Sequence, residues 1–414
     1  MAALVALAGA PVGLGVLALR PSWRPGLRER LGAAPHARPG ALWVHAASVG
    51  EILAALSLLD HARAAGHGVF ASTMTLTGRD VLRRARPGLP SSLAPLDHPW
   101  CVAAALDRVR PRALVLVETE LWPSWIAAAA ERRIPVVVVS GRLSERSLPR
   151  YRRLRPLLAS TLARIAAVGA RGEEDAARFA QLGIPEPRIR VTGDLKLEPP
   201  LGRPALAPDL ARVLGDLPLF VAGSTHAGEE SAALEALAAA DAAGIAARLV
   251  LAPRRPARAG DAAAQIERAG RRVRRRSALG TEPLASGEVL LLDGLGDLAA
   301  VYTRARVAFV GGTLVDVGGH NLLEPIHAGA PVLFGPSTSN AREAAELLLA
   351  CGAGRRVRDL QELVRAVVEA LGDPAAARAR AAAGRHALDE HRGSAARSLA
   401  LVQAELARAD AMRA

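Results

Sequence analysis

The feature that most constrains the fold of this chain is a repeated alternation of short apolar runs with longer segments rich in Ala, Leu and Arg. The short runs have the length of buried strands, and the longer segments have helical patterns. Such alternation predicts the α/β class, with parallel sheets covered by helices on both faces. We predict strands at 41–47, 68–74, 113–118, 136–140 and 165–169, and again at 219–223, 248–252, 289–292, 307–310 and 331–334.

A proline-rich connection, Glu198–Pro208, separates the two series of predicted strands and has the composition of a linker. The chain of 414 residues is long enough for two domains. Two doubly wound domains would each bind ligands at the carboxyl ends of their strands, and we expect them to face one another across a cleft. The predicted boundaries are 40–198 for the N-terminal domain, 209–385 for the C-terminal domain, and 386–414 for a helical tail.

The first 30 residues form a separate segment. Ala2–Leu19 is an uncharged apolar stretch, and several arginines follow it up to Arg30. No basic residue precedes the stretch, which argues against a cleavable signal peptide, and the basic flank would keep the rest in the cytoplasm. We predict a membrane anchor over residues 1–30, spanning the bilayer or lying in its interface. A soluble helix is the alternative, because the stretch is short and contains Gly and Pro.

Composition narrows the classes of partner. The formal net charge of +13 suggests an anionic partner: nucleic acid, a phospholipid surface or an anionic substrate. Nucleic acid is disfavoured, because no DNA- or RNA-binding signature is present and aromatic residues make up only 3% of the chain. Cys101 and Cys351 lie in no metal-ligand spacing, and no G-x-G-x-x-G follows a first strand. We therefore expect no metal site, no redox cofactor and a reducing compartment.

Lysine and asparagine are nearly absent from the sequence. Lys196 is the single lysine among 53 basic residues, and Asn321 and Asn340 are the two asparagines. A chain that otherwise uses Arg, yet keeps one Lys, hints at a position that needs a compact ammonium group rather than a planar guanidinium. Chance survival is the alternative. The same argument marks Asn321, since Ser, Thr and Asp are plentiful and would cap a helix equally well.

Acidic residues follow two predicted strands of the first half. Glu51 lies at the start of a predicted helix just after His45, and Glu118 and Glu120 lie at the end of the 113–118 strand. A carboxylate at Glu51 can accept a proton from a substrate hydroxyl, although it would also stabilise the helix dipole without any chemistry. We expect strand geometry to direct Glu118 and Glu120 to the same side, at the mouth of the sheet.

The most informative stretch of the second half is GGTLVDVGGHNLLEP, residues 311–325. It follows an apolar strand, contains two glycine pairs, and leads into a helical pattern after Asn321. Strand, Gly-rich loop and helix N-terminus together present backbone N–H groups to an anion, and Glu324 could hold a ribose diol. The alternative is structural: Asn321 as N-cap and Glu324 three residues later would form a capping box that only starts the helix.

Basic residues also follow strands of the second half. Pro253 and Arg254 follow the 248–252 strand, and His226 follows the 219–223 strand. The run Arg271–Arg276 contains five arginines and predicts an exposed face rather than a binding site.

These motifs, taken in order, resemble the bacterial 3-deoxy-D-manno-octulosonic acid (Kdo) transferases of lipopolysaccharide synthesis. The resemblance rests most on Glu-Thr-Glu-Leu-Trp-Pro at 118–123 and Gly-Gly-His-Asn-Leu-Leu-Glu-Pro at 318–325. It implies a GT-B fold of two Rossmann-like domains, with the acceptor on the N-terminal side and CMP-Kdo mainly on the C-terminal side. It also implies an inverting, metal-independent transfer of Kdo to a lipid A precursor, lipid IVA, on the cytoplasmic face of the inner membrane.

The resemblance implies roles for individual residues. Glu51 corresponds to the general base that deprotonates the attacking sugar hydroxyl, and Glu118 and Lys196 fall at positions that stabilise the transition state. The CMP-binding segments correspond to Pro253, Arg254, Leu295, Gly296, Asp297, Asn321, Leu322, Leu323 and Glu324.

The sequence departs from the family pattern at three places. Arg255 replaces a usual His, Leu295-Gly-Asp297 replaces a common Met-Gly-Glu, and Leu322 replaces a frequent Pro. None of these changes touches the three residues with implied catalytic roles, so we expect the activity to be intact.

Two other functions remain open at this point. One is another GT-B enzyme that uses a different nucleotide sugar, or a sugar-nucleotide epimerase. The other is a catalytically silent protein that binds anionic lipid through its apolar N-terminus and positive charge. The set of carboxylates at strand ends argues against the second, because a lipid-binding surface does not need them.

Overall fold

The computed structural model describes residues 25–35, 37–145, 147–198, 205–285, 287–389 and 391–413. The chain divides into two compact units. The first combines residues 1–198 with residues 391–414, and the second comprises residues 199–390.

A parallel sheet forms the centre of the first unit. Within the described residues its seven strands are β1 (Leu42–His45), β2 (Val69–Thr73), β3 (Ser91–Leu93), β4 (Ala113–Val117), β5 (Val136–Gly141), β6 (Ala167–Ala170) and β7 (Ile189–Val191). Their order across the sheet is β3-β2-β1-β4-β5-β6-β7, and every neighbouring pair is parallel. In register, Leu42 lies opposite Val69 on one side and Ala113 on the other.

Helices cover both faces of this sheet, because parallel neighbours require crossover connections. They are α1 (Leu27–Arg30), α2 (Val49–Ala64), α3 (Leu76–Ala85), α4 (Pro99–Val109), α5 (Pro123–Glu131), α6 (Leu148–Arg153), α7 (Arg155–Ala163) and α8 (Glu173–Leu182). Alternate residues of β4 enter opposite cores: Leu114 and Leu116 pack with Trp43 on one face, whereas Val115 and Val117 pack on the other.

The second unit contains a comparable parallel sheet. Its seven strands within the described residues are β8 (Leu219–Thr225), β9 (Arg248–Pro253), β10 (Arg272–Arg275), β11 (Glu288–Leu291), β12 (Ala305–Val310), β13 (Val332–Phe334) and β14 (Gly354–Arg356). Their order is β10-β11-β9-β8-β12-β13-β14, again with parallel neighbours. Both sheets confirm the predicted α/β class.

The helices of the second unit cover its sheet in the same way. They are α9 (Pro208–Leu214), α10 (Glu229–Ala242), α11 (Ala259–Arg268), α12 (Leu298–Tyr302), α13 (Leu323–Ala328), α14 (Arg342–Ala350), α15 (Leu360–Gly372) and α16 (Pro374–Asp389). The predicted start of a helical tail at residue 386 falls inside α16.

The last helix, α17 (Ser394–Ala411), returns to the first unit. Its residues Leu399, Val402 and Leu406 belong to the buried core around β1 and α2. The carboxylate of Glu198 accepts a hydrogen bond from Gly393 N at 3.0 Å. The chain therefore leaves and re-enters the first unit at adjacent points.

Near its middle, each sheet has a place where the strand order reverses. In the first sheet β1 and β4 are neighbours although two strands separate them in sequence, and in the second β8 and β12 are neighbours although three strands separate them. The connections from such strands run to opposite faces and leave a crevice at the carboxyl ends, which is where doubly wound sheets bind ligands. Residues that follow these four strands are therefore the first candidates for a site.

The sheets are wider than the sequence predicted. Strands β3, β7, β10 and β14 were not predicted; three of them are only three residues long. The run 271–276 was predicted to be an exposed face, but only Arg272 of its five arginines is exposed and the other four are half-buried, in or beside the edge strand β10. The predicted exposure was therefore wrong for most of the run. Arg274 pairs with Glu288 at 2.8 Å, which neutralises its guanidinium group.

Among the described residues, no helix combines the length and the apolar character needed to cross a bilayer. The predicted anchor helix at Ala2–Leu19 lies outside the described residues, so the apolar segment remains a prediction from sequence.

Because α17 packs in the core of the first unit, we predict that it stabilises this unit. Leu399→Ala should lower the free energy of unfolding of this unit by about 2–4 kcal/mol, because Leu399 is only 6% exposed and its removal leaves a cavity. Leu157→Ala is the matched control: this leucine of α7 is 68% exposed and its loss should cost less than about 0.5 kcal/mol. Urea unfolding followed by tryptophan fluorescence measures both. Equal effects would contradict a structural role for α17.

Candidate active site

Helix α2 begins at the carboxyl end of β1 and places Glu51 there. Ser48 is the N-cap, and its Oγ accepts a hydrogen bond from Glu51 N at 3.3 Å. In return, Ser48 Oγ donates to Glu51 Oε1 at 2.7 Å, and Ala47 N donates to Glu51 Oε2 at 2.8 Å. This arrangement is close to a capping box, so the local sequence itself fixes the carboxylate at the sheet edge.

Glu51 is a buried carboxyl with a raised pKa. The residue is 8% exposed, and burial is the main cause that raises its pKa; the like charge of Glu118 raises it further. The hydrogen bonds from Ser48 and Ala47 N lower the pKa, as does the positive charge of Lys196. A carboxylate with a raised pKa is a stronger base than a free glutamate, which suits proton abstraction from a hydroxyl.

Glu118 follows β4, directly beside β1 in the sheet. Strand β4 ends at Val117 and Glu118 adopts the left-handed conformation, with φ of 62°. The predicted strand to residue 118 was one residue too long, so strand alternation does not govern Glu118 and Glu120. Glu118 Oε1 pairs with Lys196 Nζ at 2.5 Å. A non-glycine residue in this conformation is disfavoured on its own, and such strain is concentrated at functional sites.

Lys196 lies on the loop after β7, and a buried aspartate directs that loop across the sheet edge. Asp194 Oδ1 accepts hydrogen bonds from Lys196 N at 2.8 Å and from Ser140 Oγ at 3.2 Å. Asp194 Oδ2 pairs with Arg171 at 3.0 Å. Because Ser140 belongs to β5 and Arg171 follows β6, these contacts lead the loop past both strands to Glu118 beside β4.

Glu120 is a titratable group of this site to which the family resemblance assigned no role. Its Oε2 accepts a hydrogen bond from Trp122 Nε1 at 2.7 Å. Burial, followed by the charge of Glu51, raises the pKa of Glu120 to about 7, and the charge of Glu120 in turn helps to raise the pKa of Tyr151. The signal in the sequence was the Glu-Thr-Glu pair beside Trp122.

His45 ends β1 and is structural. It is fully buried, its Nδ1 lies 2.9 Å from Ser72 Oγ, and its ring packs on Trp125 with centroids 4.8 Å apart. Burial lowers the pKa of His45 to about 4, so the ring is neutral at physiological pH.

The first unit thus brings Glu51, Glu118 and Lys196 to one sheet edge, where the sequence predicted chemistry. Glu118 pairs with Lys196, the charges of Glu118 and Lys196 act on Glu51, and the charges of Glu51 and Glu118 act on Glu120. This arrangement supplies a base and a fixed cation. The nine predicted nucleotide contacts lie separately, in the second unit.

In the second unit, the Gly-rich loop after β12 is held by a buried carboxylate. Glu229 is 0% exposed and accepts hydrogen bonds from the backbone N–H of Gly312 at 2.8 Å, Thr313 at 3.1 Å and Leu314 at 3.0 Å. It also accepts one from His226 N at 2.9 Å. Loop N–H groups that the sequence assigned to a ligand anion are therefore satisfied by the protein's own glutamate. The sequence prediction for residues 312–314 did not anticipate this carboxylate.

The segment 321–324 begins α13 differently from the predicted capping box. Asn321 Oδ1 accepts from Leu323 N at 3.1 Å, but the N-cap is Leu322, in a helical conformation without a side-chain cap. The capping-box alternative is therefore wrong. The helix begins at Leu323, so Glu324 is its second residue and not the third residue after an asparagine N-cap. Leu322 and Leu323 are 0% and 6% exposed, so only their backbone can serve a ligand.

Glu324 is free of the capping role and half-buried. Burial raises its pKa, and its charge, after burial, helps to raise the pKa of the fully buried Tyr302. Tyr302 in turn requires Gly223 on β8, because a Cβ at Gly223 would fall 1.9 Å from the Tyr302 hydroxyl.

The remaining predicted contacts lie on two other loops. Pro253 ends β9, and Arg254 N donates to Thr225 O at 3.0 Å, which ties this loop to β8. In the loop before α12, Leu295 is 79% exposed and Gly296 has φ of 112°. Asp297 pairs with Arg276 at 2.9 Å, so its carboxylate is already engaged.

Two histidines form a pair that the sequence did not predict. His226 Nε2 and His320 Nε2 are 2.8 Å apart, on the loops after β8 and β12. Among the described residues, no group of three or more His, Cys, Asp or Glu side chains is arranged to hold a metal ion.

Comparison with solved structures identifies the architecture. The glycotransferase of kitacinnamycin superposes with a TM-score of 0.51 at 17% identity, covering 89% of this chain and 99% of that chain. At this identity the likeness concerns the fold alone, and together with the two parallel sheets it supports the predicted GT-B class.

Comparison of sequences identifies the family. Residues 25–198 match the family described as 3-Deoxy-D-manno-octulosonic-acid transferase (kdotransferase). The 3-deoxy-D-manno-octulosonic acid transferase of Bordetella pertussis is 36% identical over 376 residues, which cover 88% of this chain and 87% of that protein. The enzyme of the same name from Haemophilus influenzae is 32% identical over 409 residues, covering 95% of each chain. The chain therefore belongs to the Kdo transferase family of glycosyltransferases.

Proposed function

We propose that this protein transfers Kdo from CMP-Kdo to a lipid A precursor, lipid IVA, in lipopolysaccharide synthesis. The observation that carries the proposal is the convergence of Glu51, Glu118 and Lys196 at the reversal point of the first sheet, in a chain of the Kdo transferase family. The first unit would bind the acceptor and the second unit the donor nucleotide.

Glu51 is the proposed general base of an inverting transfer. The acceptor hydroxyl gives its proton to the Glu51 carboxylate, and its oxygen attacks the anomeric carbon of Kdo as the bond from that carbon to the CMP phosphate oxygen breaks. CMP leaves with the electron pair of the broken bond. The raised pKa of Glu51 supports this role, because a carboxylate with a raised pKa accepts a proton more readily.

The Glu118–Lys196 pair is the proposed source of transition-state stabilisation. Glu118 holds the ammonium group at 2.5 Å, so the cation is in place before the reaction and needs no reorganisation during it. We propose that transfer is metal-independent, with fixed protein charges in place of a metal ion.

The donor nucleotide is the proposed ligand of the second unit. Pro253 and Arg254 would contact its phosphate side, and Glu324 is available for the ribose hydroxyls since it does not cap α13. The remaining proposed contacts act through the backbone of the loops and of the start of α13; they are Leu295, Gly296, Asp297, Asn321, Leu322 and Leu323. The Asp297 carboxylate could contact the nucleotide only after its ion pair with Arg276 is broken.

The proposed site of action is the cytoplasmic face of the inner membrane. The apolar segment 2–19 and the arginines after it would hold the protein on the phospholipid surface beside its lipid acceptor.

We expect Glu51→Gln to lower the rate of transfer roughly 100-fold or more while leaving the fold and CMP binding intact, because only the base is removed. The measurement is mass spectrometry of the lipid after incubation with CMP-Kdo, lipid IVA and EDTA. The wild type should add one or more Kdo units despite the chelator. Glu131→Gln, an exposed glutamate of α5, is the control and should be fully active.

A folded wild type that yields no Kdo-lipid product in this assay would overturn the proposed acceptor. Binding of UDP in place of CMP would instead assign the fold to another nucleotide-sugar enzyme. An active Glu51→Gln variant would remove Glu51 from the mechanism.

The raised pKa of Glu51 predicts the acid side of the pH–rate profile. The base is lost as pH falls through its pKa, so the rate should fall at a pH above the usual range of a free glutamate, near 4.3. Ser48→Ala removes a hydrogen bond to the ionised form, raises this pKa and should move the acid limb to still higher pH. The kcat profile of both proteins measures it. A limb that stays in place or moves to lower pH contradicts the assignment.

Lys196→Arg should be severely impaired although it keeps the charge. The larger, planar guanidinium cannot occupy the position of an ammonium group 2.5 Å from Glu118 Oε1, and we expect a loss on the order of 100-fold in kcat. Single-turnover transfer at saturating CMP-Kdo measures it. A near-normal rate would show that the single lysine is an accident of composition.

A further inference from the structure

The histidine pair of the second unit has no role in the mechanism described so far. His226 lies just after β8 and His320 precedes α13 in the loop after β12, so the two rings meet where the strand order reverses. Their Nε2 atoms are 2.8 Å apart and their ring planes differ by 9°. At this distance one Nε2 carries a hydrogen and donates it, while the other accepts.

The surrounding backbone fixes this contact. Gly312 has φ of 69°, and a Cβ there would fall 2.9 Å from His320 Nε2, so this glycine leaves the space that His320 occupies. Glu229 accepts hydrogen bonds from His226 N at 2.9 Å and Gly312 N at 2.8 Å, which holds both loops together. Both histidines are half-buried, and the pair is therefore positioned as well as partly open.

Burial and the surrounding charges favour the neutral form of His320. Burial, then the charges of Arg254 and His226, lower the pKa of His320 to about 4. The nearby carboxylate of Glu229 is engaged with backbone N–H groups of its own loops. The pair thus lies in a positive environment in which a bound anion would be the missing counter-charge.

A neutral pair cannot donate from Nε2 to a ligand, because its one Nε2 hydrogen is used within the pair. Uptake of one proton gives both Nε2 atoms a hydrogen, breaks the contact between them and frees an N–H donor. Such a donor forms a strong, charge-assisted hydrogen bond to a phosphate oxygen.

We propose that the His226–His320 pair contacts the phosphate of the donor nucleotide and takes up one proton from solvent as that phosphate reaches its dianionic form in CMP. This rests on the proposed function of the second unit. During transfer the phosphate changes from a singly charged diester to a dianion, and the pair and Arg254 together offset the added charge. His226 and His320 thus contact the leaving group directly.

The test is calorimetry of CMP binding to the full-length protein at pH 7.5, in buffers of different ionisation enthalpy. The dependence of the observed heat on the buffer gives the number of protons taken up. CMP itself is mostly dianionic at this pH, since its second phosphate pKa is about 6. The wild type should take up about one proton per CMP, and cytidine, which lacks the phosphate, should give no uptake.

His320→Gln and His226→Gln should each abolish the proton uptake and weaken CMP binding by about tenfold, the effect of losing one charge-assisted hydrogen bond. His386→Asn is the control: this exposed histidine of α16 lies in the same unit and should leave uptake and affinity unchanged. Either glutamine variant suffices if the other fails to fold.

Uptake that is equal in the wild type and in a folded glutamine variant overturns the role of the pair and leaves the proposed function standing. Uptake that persists with cytidine overturns the assignment to phosphate. Wild-type protein that gives no heat with CMP overturns the donor assignment, and the inference with it.

Discussion

The parallel arrangement of its strands determines where this protein can bring polar side chains together. The strands of each sheet all end at one edge, and helices must cover both faces, so polar side chains are free to converge only beyond the strand ends. The opening there is widest where the order of strands reverses. In the first sheet Glu51 and Glu118 follow the two strands on either side of that reversal, and in the second sheet His226 and the 311–314 loop do the same. The residues proposed to take part in the reaction therefore lie beside the point where the strand order reverses.

The two units stabilise buried carboxylates in opposite ways. In the first, Glu118 is paired with one ammonium group, while burial raises the pKa values of the neighbouring carboxyls of Glu51 and Glu120. In the second, Glu229 is enclosed without a cation, because four backbone N–H groups satisfy its oxygens. The first arrangement yields titratable groups suited to proton transfer, and the second yields a rigid loop. Because backbone N–H groups satisfy its oxygens, Glu229 is a structural element of the loop.

Much of this could be read from the sequence, for identifiable reasons. The alternation of apolar runs predicted the fold, and Ser48 with Glu51 three residues later fixed that carboxylate locally. Three edge strands were missed because a strand of three residues shows no periodicity. The fourth edge strand, β10, was missed because it consists mostly of arginine. The left-handed turn at Glu118, the engagement of Asp297 by Arg276 and the His226–His320 contact join residues remote in sequence or depend on backbone conformation. No local pattern encodes them. The rarity of lysine in the sequence, rather than its neighbours, marked Lys196, which the structure pairs with Glu118.

The path of the chain through the two units has a consequence for its synthesis. The second unit is inserted between residue 198 and residue 391 of the first, whose core includes α17, a helix that follows the second unit in sequence. A nascent chain emerging from the ribosome can therefore complete the second unit while the unit that bears Glu51 still lacks one of its helices. The core of the unit that bears the proposed acceptor site is therefore completed after the second unit has been translated. Until then, the apolar surface that α17 covers has no helix packed on it.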